Sequence, residues 1–252
     1  MPDKTPARIR ILGALATLAL TAGCATTGKV DLTQAAADAE CVVLLHGLNG
    51  NKRQMRHYAT ALEADGYSVA NVGYPSRSAP IEELIPVSVD AGLEQCRNTG
   101  ASRVHFVTHS LGGILLRYAQ EQSPIPDLGR VVMLAPPNGG SEIVDVTGRW
   151  PGAGLLAGPA AMQLGTRGEK SIPARLGPVD FELGVIAGNR VIDPIGSAML
   201  PDPDDGKVTV ENTRVEGMRD FLIVENSHRG LRFSDEAIEN TRYFLRTGRF
   251  AD

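Results

Sequence analysis

From residue 41 onward, short uninterrupted apolar runs alternate with longer stretches in which apolar residues recur every three or four positions. Runs at 41–45, 68–72, 104–108, 131–134, 183–187 and 221–224 predict strands buried on both faces. Between them, helices are expected at 54–64, 81–98, 112–122 and 235–246. In the last of these, Ala237, Ile238, Thr241, Phe244 and Leu245 make one apolar face, with Ser234 placed to cap its start. Ala237 stands where a capping-box acid would be, so no box is expected. Strands separated by helices imply right-handed crossovers: a small, mostly parallel α/β sheet of about six strands with helices on both faces. The segment 141–180 breaks the rhythm. It is rich in Gly and Pro and has only a helical turn near 160–164, as a lid-like or cap-like insertion would.

The chain has 252 residues, 42% of them hydrophobic, enough for one domain with a sizeable core. A formal net charge of -4 leaves no basic surplus for neutralising phosphates, so no nucleic-acid partner is expected. Three cysteines fit no zinc spacing and no disulfide-built scaffold, and no metal site is expected.

The beginning reads differently. Lys4, Arg8 and Arg10 precede an apolar run from Ile11 to Ala22, the layout of a signal peptide over residues 1–23. The run is shorter than the roughly 20 residues of a spanning helix. Its end, Leu20-Thr21-Ala22-Gly23-Cys24, resembles a bacterial lipobox, although Thr21 stands where an aliphatic residue is usual. That resemblance implies lipidation at Cys24, a membrane-anchored lipoprotein of the cell envelope or periplasm, and a linker over 24–40. An ordinary cleaved signal is the alternative. Losing Asp3, Lys4, Arg8 and Arg10 with the segment takes the net charge from -4 to -6.

The expected strand at 104–108 leads directly into His109-Ser110-Leu111-Gly112-Gly113 and an apolar helix. A serine at the apex of such a turn stands above the sheet, and the glycines after it let the helix pack close to the strand. The pentapeptide G-x-S-x-G reads Thr108-His109-Ser110-Leu111-Gly112, with Thr in place of the first glycine. With His46-Gly47-Leu48 after the first strand, these residues make roughly 41–248 resemble the α/β-hydrolase superfamily, in particular small bacterial lipases and esterases, which implies one such domain over 41–252. The resemblance implies Ser110 as nucleophile and the Leu48 and Leu111 amides as an oxyanion hole. Ala135-Pro136-Pro137-Asn138-Gly139-Gly140-Ser141 is similar to a stretch that follows the next strand in such lipases.

A serine nucleophile needs a base, and the family order is Ser, acid, His. Of five histidines only His228 follows Ser110, in a loop after the last strand. His46 and His109 flank the pocket as structural groups, His57 falls on an exposed helix face, and His105 lies within a strand. Asp193, Asp202, Asp204, Asp205 and Asp220 are the candidate acids. Asp205 is chosen, because Asp205-Gly206-Lys207-Val208 resembles the D-G-x-V stretch carrying the acid in bacterial lipases; Asp193 is the runner-up. In this fold the helix ending near Cys96 crosses over the strand that starts at Cys41. A Cys41–Cys96 disulfide is therefore implied, two buried free thiols being the alternative.

The resemblance implies hydrolysis of a small-molecule or lipid carboxylic ester through an acyl-enzyme, without metal or organic cofactor. Trp150, Leu155, Leu156, Met162 and Leu164 are placed to line an acyl pocket or to pack. Thioester hydrolysis or acyl transfer by the same three residues stays open, as does a non-catalytic envelope binding protein with this fold.

Overall fold

The computed structural model describes residues 40–192, 198–201 and 203–251, together with Met1. The expected signal segment, Cys24, the linker up to residue 39, Asp193 and Asp202 lie outside the described residues. Six strands form one sheet: β1 (Glu40–Leu45), β2 (Ser68–Val72), β3 (Arg103–His109), β4 (Leu128–Leu134), β5 (Leu183–Gly188) and β6 (Asp220–Val224). Their order is β2-β1-β3-β4-β5-β6, and every neighbouring pair is parallel. Glu40, assigned to the linker from sequence, is the first residue of β1 and pairs in register with Arg103.

Among the described residues the α-helices, in chain order, are α1 (Arg56–Ala64), α2 (Ile81–Leu84), α3 (Ala91–Arg97), α4 (Leu111–Gln122), α5 (Glu142–Thr147), α6 (Ala153–Ala157), α7 (Pro159–Met162), α8 (Val210–Thr213) and α9 (Asp235–Thr247). The period-2 geometry of β1 divides its side chains between two cores. Cys41, Val43 and Leu45 pack on one face with Ile81, Leu84, Leu93, Ile114 and Leu115. Val42 and Leu44 pack on the other with Tyr58, Leu62, Phe244 and Leu245. Each such buried aliphatic contributes about 1.5–3 kcal/mol relative to exposure, which is why the uninterrupted apolar runs become central strands. In α9 the buried residues are Ala237, Ile238, Thr241, Phe244 and Leu245, and Ser234 Oγ accepts from Ala237 N at 3.3 Å as its cap.

One expected helix is not continuous. The stretch 81–98 is α2, a wide turn over Pro86–Asp90, and α3. Pro86 has no N–H to donate to Glu82, and the chain responds by widening. Asp90 N donates instead to Ile85 O at 3.2 Å, one residue further than in an α-helix. Cys96, near the end of α3, is disulfide-bonded to Cys41 of β1 with a Cα–Cα distance of 5.5 Å.

The segment between β4 and β5 holds the short helices α5, α6 and α7. Gln163 ties it to α2, accepting from Ile81 N at 2.7 Å and donating to Glu82 at 2.8 Å. The chain leaves β1 toward β2 and then returns to the other side of β1 with β3. The carboxyl ends of β1 and β3 are therefore a topological switch point, where open α/β sheets leave a crevice.

Candidate active site

Ser110 follows β3 directly, at φ 53° and ψ -121°, a conformation that non-glycine residues rarely adopt. Such a conformation costs about 1–3 kcal/mol and persists only where surrounding contacts impose it. Here Ser110 N donates to Leu134 O at 2.9 Å and Gly113 N donates to Ser110 O at 3.0 Å. Packing closes the turn from both sides. A Cβ on Gly47 would lie 3.0 Å from Ser110 Cβ, and one on Gly112 only 2.8 Å from Leu45 O. The departure at Thr108 is accommodated by the glycine after the motif. A Cβ on Gly113 would sit 3.3 Å from Thr108 Oγ1 and 3.0 Å from Met133 Sδ, so Gly113 supplies the room that a first glycine otherwise would.

Asp205 and His228 are brought together from separate loops. His228 Nδ1 lies 2.8 Å from Asp205 Oδ2, and His228 N donates to Asp205 O at 3.0 Å. The other carboxylate oxygen, Oδ1, accepts from Lys207 N and Val208 N, each at 2.9 Å. Gly206, at φ 92°, makes that turn without a Cβ penalty. A carboxylate accepting at Nδ1 fixes the proton there and leaves the Nε2 lone pair free. Both Asp205 (2% exposed) and His228 (9%) are buried. Among the described residues no hydrogen bond joins Ser110 to the His228 ring, but both side chains line one cavity of about 420 Å³. Contacts of this kind commonly tighten only when substrate is bound.

Of the other candidate acids among the described residues, Asp204 accepts from Gly206 N at 2.6 Å. Asp220 accepts from Phe221 N and Phe250 N.

His46 shapes the neighbouring loop. Its Nδ1 lies 2.9 Å from Gly47 O and so carries the proton, while Nε2 accepts from Tyr74 N at 3.3 Å. The ring stacks on Tyr74 at 4.1 Å, and burial holds its pKa below the ordinary imidazole value. Gly50 N also donates to Gly47 O, at 3.1 Å. In a trans peptide C=O and N–H point oppositely, so fixing Gly47 O turns the Leu48 N–H the other way. Among the described residues neither Leu48 N nor Leu111 N donates to a backbone acceptor, and Leu48 lines the cavity.

His109 is buried beside Ser110. Its Nε2 lies 2.9 Å from the His228 carbonyl oxygen, which can only accept, so the proton is on Nε2. Burial, then the nearby His228 and Arg232, hold its pKa well below the ordinary value. His57 is exposed against Phe233, and His105 is buried in β3 with its Nδ1 accepting from Arg130 N at 2.8 Å.

The segment between β4 and β5 supplies Ile143, Val144, Ala157, Ala161 and Leu164 to the cavity wall. Trp150, Leu155 and Leu156 do not line it; they are 58%, 87% and 74% exposed. Met162 packs instead under the α5–α6 turn, close to Gly148. Arg229 and Arg232, which line the cavity after His228, escaped the sequence reading. The one signal for them was their position, one and four residues beyond the histidine.

Residues 42–235 match the model of the Alpha/beta hydrolase family. The chain belongs to the α/β-hydrolase family. Among solved structures, this α/β-hydrolase resembles the mature Bacillus licheniformis lipase BlEst2, with a TM-score of 0.64 and 18% identity over 84% of this chain and 92% of that one. Aspergillus fumigatus lipase B gives a TM-score of 0.62 at 15% identity, over 85% of this chain and 54% of that one. Phospholipase PlaB from Legionella pneumophila gives 0.57 at 17%, over 70% and 46%. At these identities the likeness is one of fold.

Proposed function

We propose that this α/β-hydrolase is a serine esterase that cleaves carboxylic esters through an acyl-enzyme. The observation that carries the reading is the Asp205–His228 pair at 2.8 Å, whose histidine lines the same cavity as a serine held at φ 53°. Ser110 Oγ attacks the ester carbonyl while His228 Nε2 takes its proton. Asp205 holds the ring in the Nδ1–H tautomer and stabilises the imidazolium that forms. Negative charge develops on the carbonyl oxygen, and the Leu48 and Leu111 amides meet it. One such donor is worth about 2.7–4 kcal/mol in the transition state. His228 then returns the proton to the leaving alkoxide, and water repeats the sequence on the acyl-enzyme.

A fluorophosphonate probe tests the reading. Labelling of the wild type and none of Ser110→Ala is expected. A folded wild type that stays unlabelled would instead favour a binding protein with a hydrolase fold.

A further inference from the structure

The cavity at Ser110 has two unlike sides. Ile143, Val144, Ala161 and Leu164 of the segment between β4 and β5 make one apolar. Lys207, Arg229 and Arg232 line it elsewhere, and none of the described lining residues is Asp or Glu. That asymmetry stands out in a chain with 25 Lys and Arg against 29 Asp and Glu.

Arg232 is the informative member. It is only 8% exposed, and its Nε donates to Arg229 O at 3.1 Å. Among the described residues its terminal guanidinium nitrogens have no hydrogen-bond partner, and neither Arg229 nor Arg232 forms an ion pair. The Arg232 guanidinium carbon lies 5.4 Å from the Phe233 ring centroid and the terminal nitrogens keep access to solvent, but a largely covered cation without an anion still loses part of its hydration without full replacement. Burial, then the Arg229 charge, lower the Arg232 pKa accordingly. A guanidinium also offers a planar fork suited to phosphate or carboxylate oxygens.

The chemistry of the proposed reaction says which half of the ester faces these groups. His228 must deliver its proton to the leaving oxygen, so residues that flank it lie toward the alcohol half. Arg229 and Arg232 follow His228 in the same loop and short helix, Gly230–Phe233. The apolar wall is left for the acyl chain.

Resting on the esterase reading, we infer that the substrate is an acyl ester whose alcohol half carries a phosphate-type anion, bound by Arg232 with Arg229. The acyl C–O bond breaks, the alcohol leaves with the proton from His228, and the phosphate stays on the alcohol unchanged.

Two esters with one acyl group test this: butyryl glycerol phosphate and uncharged monobutyrin, compared by kcat/KM. A preference of roughly 10- to 100-fold for the phosphate ester is expected, the range of one charge-assisted contact. In Arg232→Gln, checked for folding by its thermal melt, the ratio should fall about tenfold or more, and Arg232→Lys should recover part of it. Arg229→Gln, at an exposed position, should lower the ratio even where Arg232→Gln fails to fold. Free glycerol phosphate should inhibit the wild type competitively. Repeating the pair with a palmitoyl chain separates the two sources of the anion: activity only on the long-chain ester indicates a lipid headgroup, activity on both a soluble phosphate ester. A wild-type ratio near one, or a ratio that neither arginine variant changes, overturns the inference. If turnover of both esters survives Ser110→Ala, it is the esterase reading that fails.

Discussion

His109 Nε2 donates to the main-chain oxygen of His228 across 2.9 Å, so the residue beside the proposed nucleophile holds the loop of the proposed base. The rings lie 4.9 Å apart. This contact fixes the height of the His228 backbone above the elbow, while Asp205 fixes the rotation of its ring. Removing the donor leaves a buried carbonyl unpaired, a loss of about 1–3 kcal/mol. His109→Phe should therefore lower kcat by roughly tenfold or more with little change in KM. His109→Gln, which keeps an N–H donor, should retain more activity. Equal kcat for the two variants in steady-state assays would argue against this role.

Acid should destabilise the protein before carboxylates begin to titrate. His46 and His109 are held below the ordinary value of 6.5 by burial. Between the depressed values and 6.5 the unfolded rings bind protons that the folded ones do not. Stability therefore rises with pH in that window and is lost as pH falls. Each ring adds a slope of about 1.4 kcal/mol per pH unit. Urea titrations from about pH 5 to about pH 7.5 should show the slope, and His109→Gln should reduce it by one group's share.

Thr108 Oγ1 is buried and has no hydrogen-bond partner among the described residues. Replacing the hydroxyl by a methyl group of similar size removes an unsatisfied polar atom. Thr108→Val should therefore raise stability by about 1 kcal/mol, read from the urea midpoint at unchanged m-value.

Gly112→Ala should do the reverse. Its Cβ would meet Leu45 O, a backbone atom of β1, at 2.8 Å. Overpacking of this kind costs about 1–3 kcal/mol and would push the Ser110 turn away from the sheet. A lower melting temperature together with weaker fluorophosphonate labelling is expected.

The Cys41–Cys96 bridge closes a loop with a sequence separation of 55. Loop-closure entropy assigns it about 4 kcal/mol, and measured bridges typically give 2–4 kcal/mol. Cys41→Ser/Cys96→Ser should melt well below the wild type under non-reducing conditions, and dithiothreitol should lower the wild type alone.

Much of this architecture could be read from residues. Strands such as 41–45 are legible because burial on both faces forces every position to be apolar. Ser110 stands out because its turn needs small neighbours at fixed offsets, His228 because chain order leaves one histidine, and Asp205 because its D-G-x-V surroundings resemble those of the acid in bacterial lipases. What escaped depends on tertiary contacts. Pro86 divides a helix whose apolar spacing runs on past it. Trp150, Leu155 and Leu156 have the composition of a pocket wall and point to solvent, since nothing local tells a lining leucine from an exposed one. Thr108 departs from the motif, and only its packing against Gly113 explains why that is tolerated. Arg232 in a string of letters is one arginine among many; its burial beside the cavity gives it meaning.

The central claim is that Ser110 carries the acyl group, and an acid-quenched reaction with p-nitrophenyl butyrate followed by peptide mapping tests it most directly. One butyryl group on the peptide containing Ser110, and none in Ser110→Ala, is the predicted result. A folded wild type that turns over the ester with no adduct on that peptide, or with the adduct on another residue, would contradict the account.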